Sequence, residues 1–215
     1  MAIVGLVDFL APDLEKRLEE YARNPNVSAV REHLGWDPQR AERRFAARGD
    51  LLTDPQWLSG LGKLSSTPFR CSLEVFSSQL PAVADIFESH PEIGFNIAVM
   101  GWPSGTDPQS FADWKESMRR LADCSNVRVT ISALECVFGM NWHPAQAQPW
   151  VDTVFELFGT SRMMVGSHTP IAALAANVSS PYASYLELTA ALTPEEREAV
   201  LHRNAWEWYF TPRRA

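Results

Sequence analysis

Five histidines are the side chains of this chain best suited to moving a proton near neutral pH, and they fall into two groups. His33 lies at the end of a β-rich run and His143 and His168 come after such runs, whereas His90 and His202 lie in helical stretches. An unperturbed imidazole titrates at about pH 6.5, so a histidine facing a pocket accepts a proton without special tuning. Arg31, late in its β-rich run, carries a planar guanidinium suited to bidentate carboxylate binding. Gln79 and Glu135 also follow such runs and would join His33, Arg31, His143 and His168 around one pocket if their loops converge. A catalytic zinc asks for about three protein ligands and an open position. His33, His143 and His168 would have to meet from three separate loops, and no His-x-His or His-x-x-x-His spacing assists them. No tightly bound metal is therefore expected, and a divalent ion such as zinc is admitted without being favoured. Each residue also has a plainer reading: Arg31 paired with Glu32 or Asp37, Glu135 as a cap or ion-pair partner, His33 and His143 as loop residues. In the same vein His90 is a surface residue favoured by a helix end and His202 a packing residue.

The elements that must position these residues alternate. Six β-rich runs, Ile3–Phe9, Val27–Leu34, Arg70–Phe76, Phe95–Gly101, Val127–Leu134 and Met163–Ser167, are separated by amphipathic stretches. The runs are mostly apolar, as in strands of a parallel sheet covered on both faces. Helix starts are marked by Pro12 with Asp13, by Ser110 with Asp113, and by the capping box of Thr193-Pro194-Glu195-Glu196. Leu80, Val83, Ile86 and Phe87 mark a further helix, as do Val151, Val154, Phe155 and Phe158. Gly35–Asp50, Cys136–Gln148 and Leu174–Ala183 lack clear periodicity, and the first two follow strands, where a βα barrel keeps its functional loops. Trp36, Trp102 and Trp142 also follow strands and are placed to wall a pocket.

Composition sets the class. The 215 residues are 46% hydrophobic and 21% charged, which predicts one soluble globular domain over 1–215. A net charge of −7 and the lack of a basic patch argue against nucleic acid as partner. Cys71, Cys124 and Cys136 form no C-x-x-C and no disulfide-like pattern. No apolar run reaches the roughly 18 residues of a membrane span, and Met1-Ala2-Ile3-Val4 does not open a signal peptide, so a cytoplasmic protein is expected. A glycine-rich turn after the first strand and a Walker A sequence are both missing, which removes the common nucleotide-binding readings.

Taken in order, several segments resemble the amidohydrolase family of TIM-barrel hydrolases, in the branch of 2-pyrone-4,6-dicarboxylate lactonase and fuconolactonase. They are Ile3-Val4-Gly5-Leu6-Val7-Asp8, Asn26 to Arg31, Leu73-Glu74-Val75-Phe76 with Gln79-Leu80-Pro81, and Phe95 through Gly101-Trp102-Pro103. Ser132-Ala133-Leu134-Glu135, Phe158-Gly159 with Arg162, Met164-Val165-Gly166-Ser167-His168 and Asn204-Ala205 through Tyr209 continue the set to about residue 210. The resemblance implies an α/β fold: an incomplete (β/α)8 barrel of about six parallel βα units whose first two units, including the family's His-x-His strand, are missing. Where family members often carry histidine this chain has Val99 or Met100, and Ser78; where they end the final strand in Gly-Ser-Asp it has Gly166-Ser167-His168.

The resemblance implies a hydrolase acting on a small lactone, ester or amide that bears a carboxylate. His168 would stand at the position of the general base, Arg31 would anchor the substrate, and His33, Gln79, Glu135 and His143 would surround it, with no metal. The competing reading is an impaired or truncated relative that binds a ligand or partner without turnover, and a third is a start site lying upstream. Two open sheet edges beside a wet apolar interior would also drive self-association, so a homo-oligomer joined through those edges is expected.

Overall fold

The computed structural model describes residues 1–174 and 181–211. Among these, six parallel strands make one sheet: β1 (Ile3–Leu6), β2 (Val27–His33), β3 (Arg70–Glu74), β4 (Phe95–Ile97), β5 (Val127–Ile131) and β6 (Met163–Val165). Each strand pairs with its successor in the chain, so the spatial order is β1-β2-β3-β4-β5-β6 and the edges are β1 and β6. Each expected run contains one strand, and each strand stops earlier than its apolar run. The backbone gives the reason: after β4, β5 and β6 it turns left-handed, with φ of 53° at Val99, 54° at Met100, 53° at Ala133 and 52° at His168. Left-handed geometry costs a non-glycine residue on the order of 1–3 kcal/mol and clusters where function dictates the backbone.

The helices between strands are α1 (Leu14–Ala22), α2 (Pro55–Gly62), α3 (Leu80–Ser89), α4 (Pro108–Asp123), α5 (Leu134–Phe138) and α6 (Pro144–Phe158). After β6 come α7 (Pro181–Leu188), α8 (Pro194–Glu198) and, through a π-helical turn, α9 (Asn204–Phe210). The Thr193 capping box forms: Thr193 Oγ1 accepts from Glu196 N at 3.3 Å and Thr193 N donates to Glu196 Oε2 at 3.0 Å. The start of α4 differs from expectation. Asp107, not Ser110, is the N-cap, its Oδ1 accepting from Gln109 N and Ser110 N, because Pro108 takes the first helical position. Helix α2 carries too few apolar repeats to announce itself, yet Asp54 caps it just ahead of Pro55. Of the aperiodic stretch Leu174–Ala183, residues 175–180 lie outside the described residues, and its end begins α7.

The two faces of the sheet differ in chemistry. Outward residues such as Val30, Leu73, Phe95, Ile97, Val127, Val129 and Ile131 are fully buried against the helices. The inward face carries Arg31, His33, Ser72, Glu74, Asn96, Thr130 and Ser132, all bordering one cavity. The expected apolar interior holds in part, since Val4, Phe45, Ala98, Val99, Trp102 and Ile171 line the same cavity. β3 and β5 alternate strictly, as in Arg70-Cys71-Ser72-Leu73-Glu74, with polar residues sharing the concave face. That all six strands or their immediate continuations border one cavity shows the sheet wrapped around it.

Helix α9 closes the opposite end. It packs on both β2 and β6, and the Trp208 ring lies 4.9 Å from the Arg70 guanidinium and 5.1 Å from that of Arg128. The backbone at Gly94 passes so near that a Cβ there would stand 2.9 Å from the Trp208 ring. Asn204 anchors the helix, its Nδ2 donating to Thr160 O at 2.6 Å and Met163 O at 2.7 Å. No described helix is long and apolar enough to cross a membrane.

Candidate functional site

The cavity at the carboxyl ends of the strands has a volume of about 740 Å³. Its walls come from β1 to β5, from His168 after β6, from Phe45 in the loop after β2, from Trp102 after β4, and from Tyr209 of α9. This is where parallel βα folds place their chemistry, because loops leaving adjacent strands converge there.

His168, on its wall, pairs closely with Glu135 behind it. His168 Nδ1 lies 2.5 Å from Glu135 Oε1, with the carboxylate side chain 5% exposed and the imidazole 29%. Local backbone sets this contact. Left-handed Ala133 ends β5 and starts α5, which brings Glu135 into its first turn, and left-handed His168 leaves β6 toward it. The Tyr185 hydroxyl donates to Gly166 O at 2.9 Å and Gly166 N donates to Ile131 O at 2.9 Å, fixing the approach to His168. With Nδ1 held by a buried carboxylate, Nε2 is the ring nitrogen left for other partners. Cys136 lies beside the pair; burial pushes its thiol up, and the charges of Glu135 and Glu74 add to that.

A second cluster joins β2 to β3. Glu74 Oε2 pairs with Arg31 Nη2 and lies 3.2 Å from His33 Nδ1. Arg31 thus pairs with neither Glu32 nor Asp37. Glu32 is on the outward face, accepting from Trp57 Nε1 at 2.8 Å, and Asp37 faces Arg40 at 3.7 Å. Burial, with Asp8 adding repulsion, pushes the Glu32 carboxyl up to about 7. Between the clusters runs a polar row in which Asn96 donates to Ser72 Oγ at 3.2 Å and accepts from Thr130 Oγ1 at 2.8 Å. Tyr209 lies at the base, its phenol pushed up by burial and moderated by Arg31 and Arg70.

The structure brings together four of the expected residues, Arg31, His33, His168 and, behind His168, Glu135. Gln79 is placed elsewhere, since its amide is spent on backbone: Oε1 accepts from Trp36 N and Phe76 N at 3.0 Å, and Nε2 donates to Leu34 O at 2.8 Å. His143 is exposed at the N-cap of α6, outside the cavity wall. His90 caps α3 beside Glu92, whereas His202 is exposed with Glu198 at 3.3 Å and is not a packing residue. Of the three tryptophans, Trp102 walls the cavity, stacked 5.5 Å from Phe45; Trp36 stacks under Arg44, and Trp142 is buried in the core. Sequence reasoning missed Glu74, Asn96, Thr130 and Cys136 as cavity residues. The alternation of β3 and β5 was the available signal for the strand positions, and nothing local marks Cys136.

Comparison with known proteins bears on this geometry. The model of the amidohydrolase family matches residues 7–211. An L-fucono-1,5-lactonase of Burkholderia ambifaria is 25% identical over 213 residues, covering 97% of this chain and 70% of that protein. An amidohydrolase of Burkholderia multivorans crystallised with bound zinc superposes with a TM-score of 0.82 at 24% identity, over 97% of this chain and 73% of that one. A putative 2-pyrone-4,6-dicarboxylic acid hydrolase of Pseudomonas putida gives a TM-score of 0.67 at 18% identity, over 98% and 70% of the two chains. The zinc in one neighbour prompts the question of fit here. Glu135, Cys136 and His168 each offer one ligand atom, and these atoms all lie within 4.8 Å of one another. Imidazole, carboxylate and thiolate are donors that zinc accepts, and a cavity wall leaves a position open, so the residues fit such an ion.

Proposed function

We propose, from the premise that this chain belongs to the amidohydrolase family, that it is a cytoplasmic hydrolase opening a small, neutral, polyhydroxylated lactone. The observation that carries the reading is the 2.5 Å contact between buried Glu135 and His168 at a large cavity lined by both polar and apolar side chains. A carboxylate holding one imidazole nitrogen orients the ring and stabilises the imidazolium that forms when the other nitrogen takes a proton.

The chain's own residues supply a complete proton cycle. His168 Nε2 removes a proton from water as the water oxygen attacks the lactone carbonyl carbon. The tetrahedral intermediate collapses with cleavage of the ring C–O bond, and the imidazolium returns the proton to the departing alkoxide. The product is a hydroxy acid. This route needs no resident metal. An ion held by Glu135, Cys136 and His168 would supply Lewis acidity at the cavity wall only at the expense of the imidazole base.

Charge distinguishes between substrates of the two named relatives. Arg31, read from sequence as a carboxylate anchor, already pairs with Glu74, and Glu135 lies against His168. A dicarboxylate would have to displace Glu74 from Arg31. A neutral sugar-type ring instead finds hydroxyl and amide partners in Ser72, Asn96, Thr130 and Ser132, with Trp102 and Phe45 for its C–H face. Self-association through the edges of β1 and β6 belongs to the same reading, driven by unpaired backbone groups and by the apolar part of the cavity wall.

The test is pH-stat hydrolysis of neutral aldonolactones against pyrone dicarboxylates. Turnover of the neutral lactones, reduced about 100-fold or more in Glu135→Gln, supports the reading. A folded protein that hydrolyses neither class, or an unaffected Glu135→Gln variant, overturns it.

A further inference from the structure

We infer that Glu135, Cys136 and His168 form a divalent-metal site whose occupation switches off the imidazole as a base. The three donors come from two neighbouring strand ends, consecutive residues of α5 and the residue-168 turn after β6, and their ligand atoms share a space 4.8 Å across. Two of them already meet at 2.5 Å around a single proton position. A zinc-class ion takes the place of that proton, which passes through solvent to Nε2 and leaves the ring with no free basic nitrogen; the ion accepts Nδ1 and the carboxylate oxygen and takes the Cys136 thiolate as the third ligand once the thiol proton is lost to solvent. The cavity leaves the fourth position to water.

The donor set sits apart from the other carboxylate–histidine cluster. Glu74 is committed to Arg31 as well as to His33, and an incoming cation there would meet the guanidinium charge. At Glu135 no cation other than His168 pairs with the carboxylate among the described residues. The site thus favours soft divalent ions, through its sulfur, over magnesium or calcium.

Metal binding stands independently of the hydrolase reading; only its effect on turnover rests on that reading. The experiment is a Co²⁺ titration of the chelator-stripped full chain, followed by absorption. One equivalent should raise a thiolate-to-cobalt charge-transfer band that Zn²⁺ abolishes by displacement. Cys136→Ser should lose this band while keeping native circular dichroism, and Glu135→Gln should bind about 10- to 100-fold more weakly. The absence of a thiolate band, or a band that persists in Cys136→Ser, overturns the site. On lactones found to be hydrolysed, stoichiometric Zn²⁺ should depress turnover and chelator restore it; activation by zinc would overturn the switching role while leaving the spectroscopic result intact.

Discussion

Two carboxylate–imidazole pairs face the same cavity, and they differ in how many partners the carboxylate serves. Glu74 divides itself between Arg31 and His33, with its side chain 15% exposed and the His33 ring 41%. Among the described residues Glu135 pairs with His168 alone, at 5% exposure. A carboxylate already neutralised by a guanidinium has little left to stabilise a proton on its histidine, whereas a buried carboxylate with a single imidazole partner stabilises an imidazolium strongly. In the proposed hydrolase the first cluster therefore organises the wall and the second is assigned the proton transfer. Residue type alone does not separate them.

The sharpest way to break that distinction is to remove each imidazole in turn. His168→Ala should lower kcat about 10²- to 10⁴-fold, the usual range for a general base, while His33→Ala should change it less than about tenfold. Equal losses in steady-state kinetics would erase the difference between the clusters. Next in size is an effect behind the first cluster, on the outward face of β2. The folded chain holds the Glu32 proton up to about pH 7, whereas an unperturbed glutamate releases it near 4.5. Folding takes up a proton between those limits, so stability falls as pH rises through the window and levels off above it, by on the order of 3 kcal/mol. Glu32→Gln, which keeps an acceptor for Trp57 Nε1, should flatten this dependence in urea melts from pH 4.5 to 8. An unchanged slope would place the pH sensitivity elsewhere. The smallest effect concerns charge at the wall. Glu74→Gln frees Arg31, and preference measured as kcat/KM should move about tenfold toward lactones bearing a carboxylate. No movement would show that Arg31 does not face the substrate.

Much of this architecture is legible in the residues, for reasons that can be named. β1 to β6 each fall within an apolar run, because the outward face of every strand packs against helices. Thr193 announces α8 because a capping box is a local device. Arg31, His33, Glu135 and His168 are traceable to strand ends through their order along the chain. Glu74 and the Asn96 row escaped because the runs were read as uniformly apolar, although Ser72 and Glu74 alternate with Cys71 and Leu73. Gln79 and His143 were misplaced because reach across a cavity depends on turn geometry. The Gln79 amide folds back onto three backbone groups, and His143 starts a helix that carries it outward. The left-handed residues that fix Glu135 against His168 are alanine and histidine, which carry no sequence signature for that conformation.

The aromatic stopper beneath the sheet has a consequence for how the molecule is made. Trp208 lies downstream of all six strands, yet it touches side chains at the start of β3 and in β5. During synthesis the cup is laid down stave by stave with its bottom open to water, and Arg70 and Arg128 wait for a ring that has not yet left the ribosome. Ribosome-bound chains halted just before α9 should therefore stay sensitive to protease, and release of the few residues that follow should bring resistance in one step.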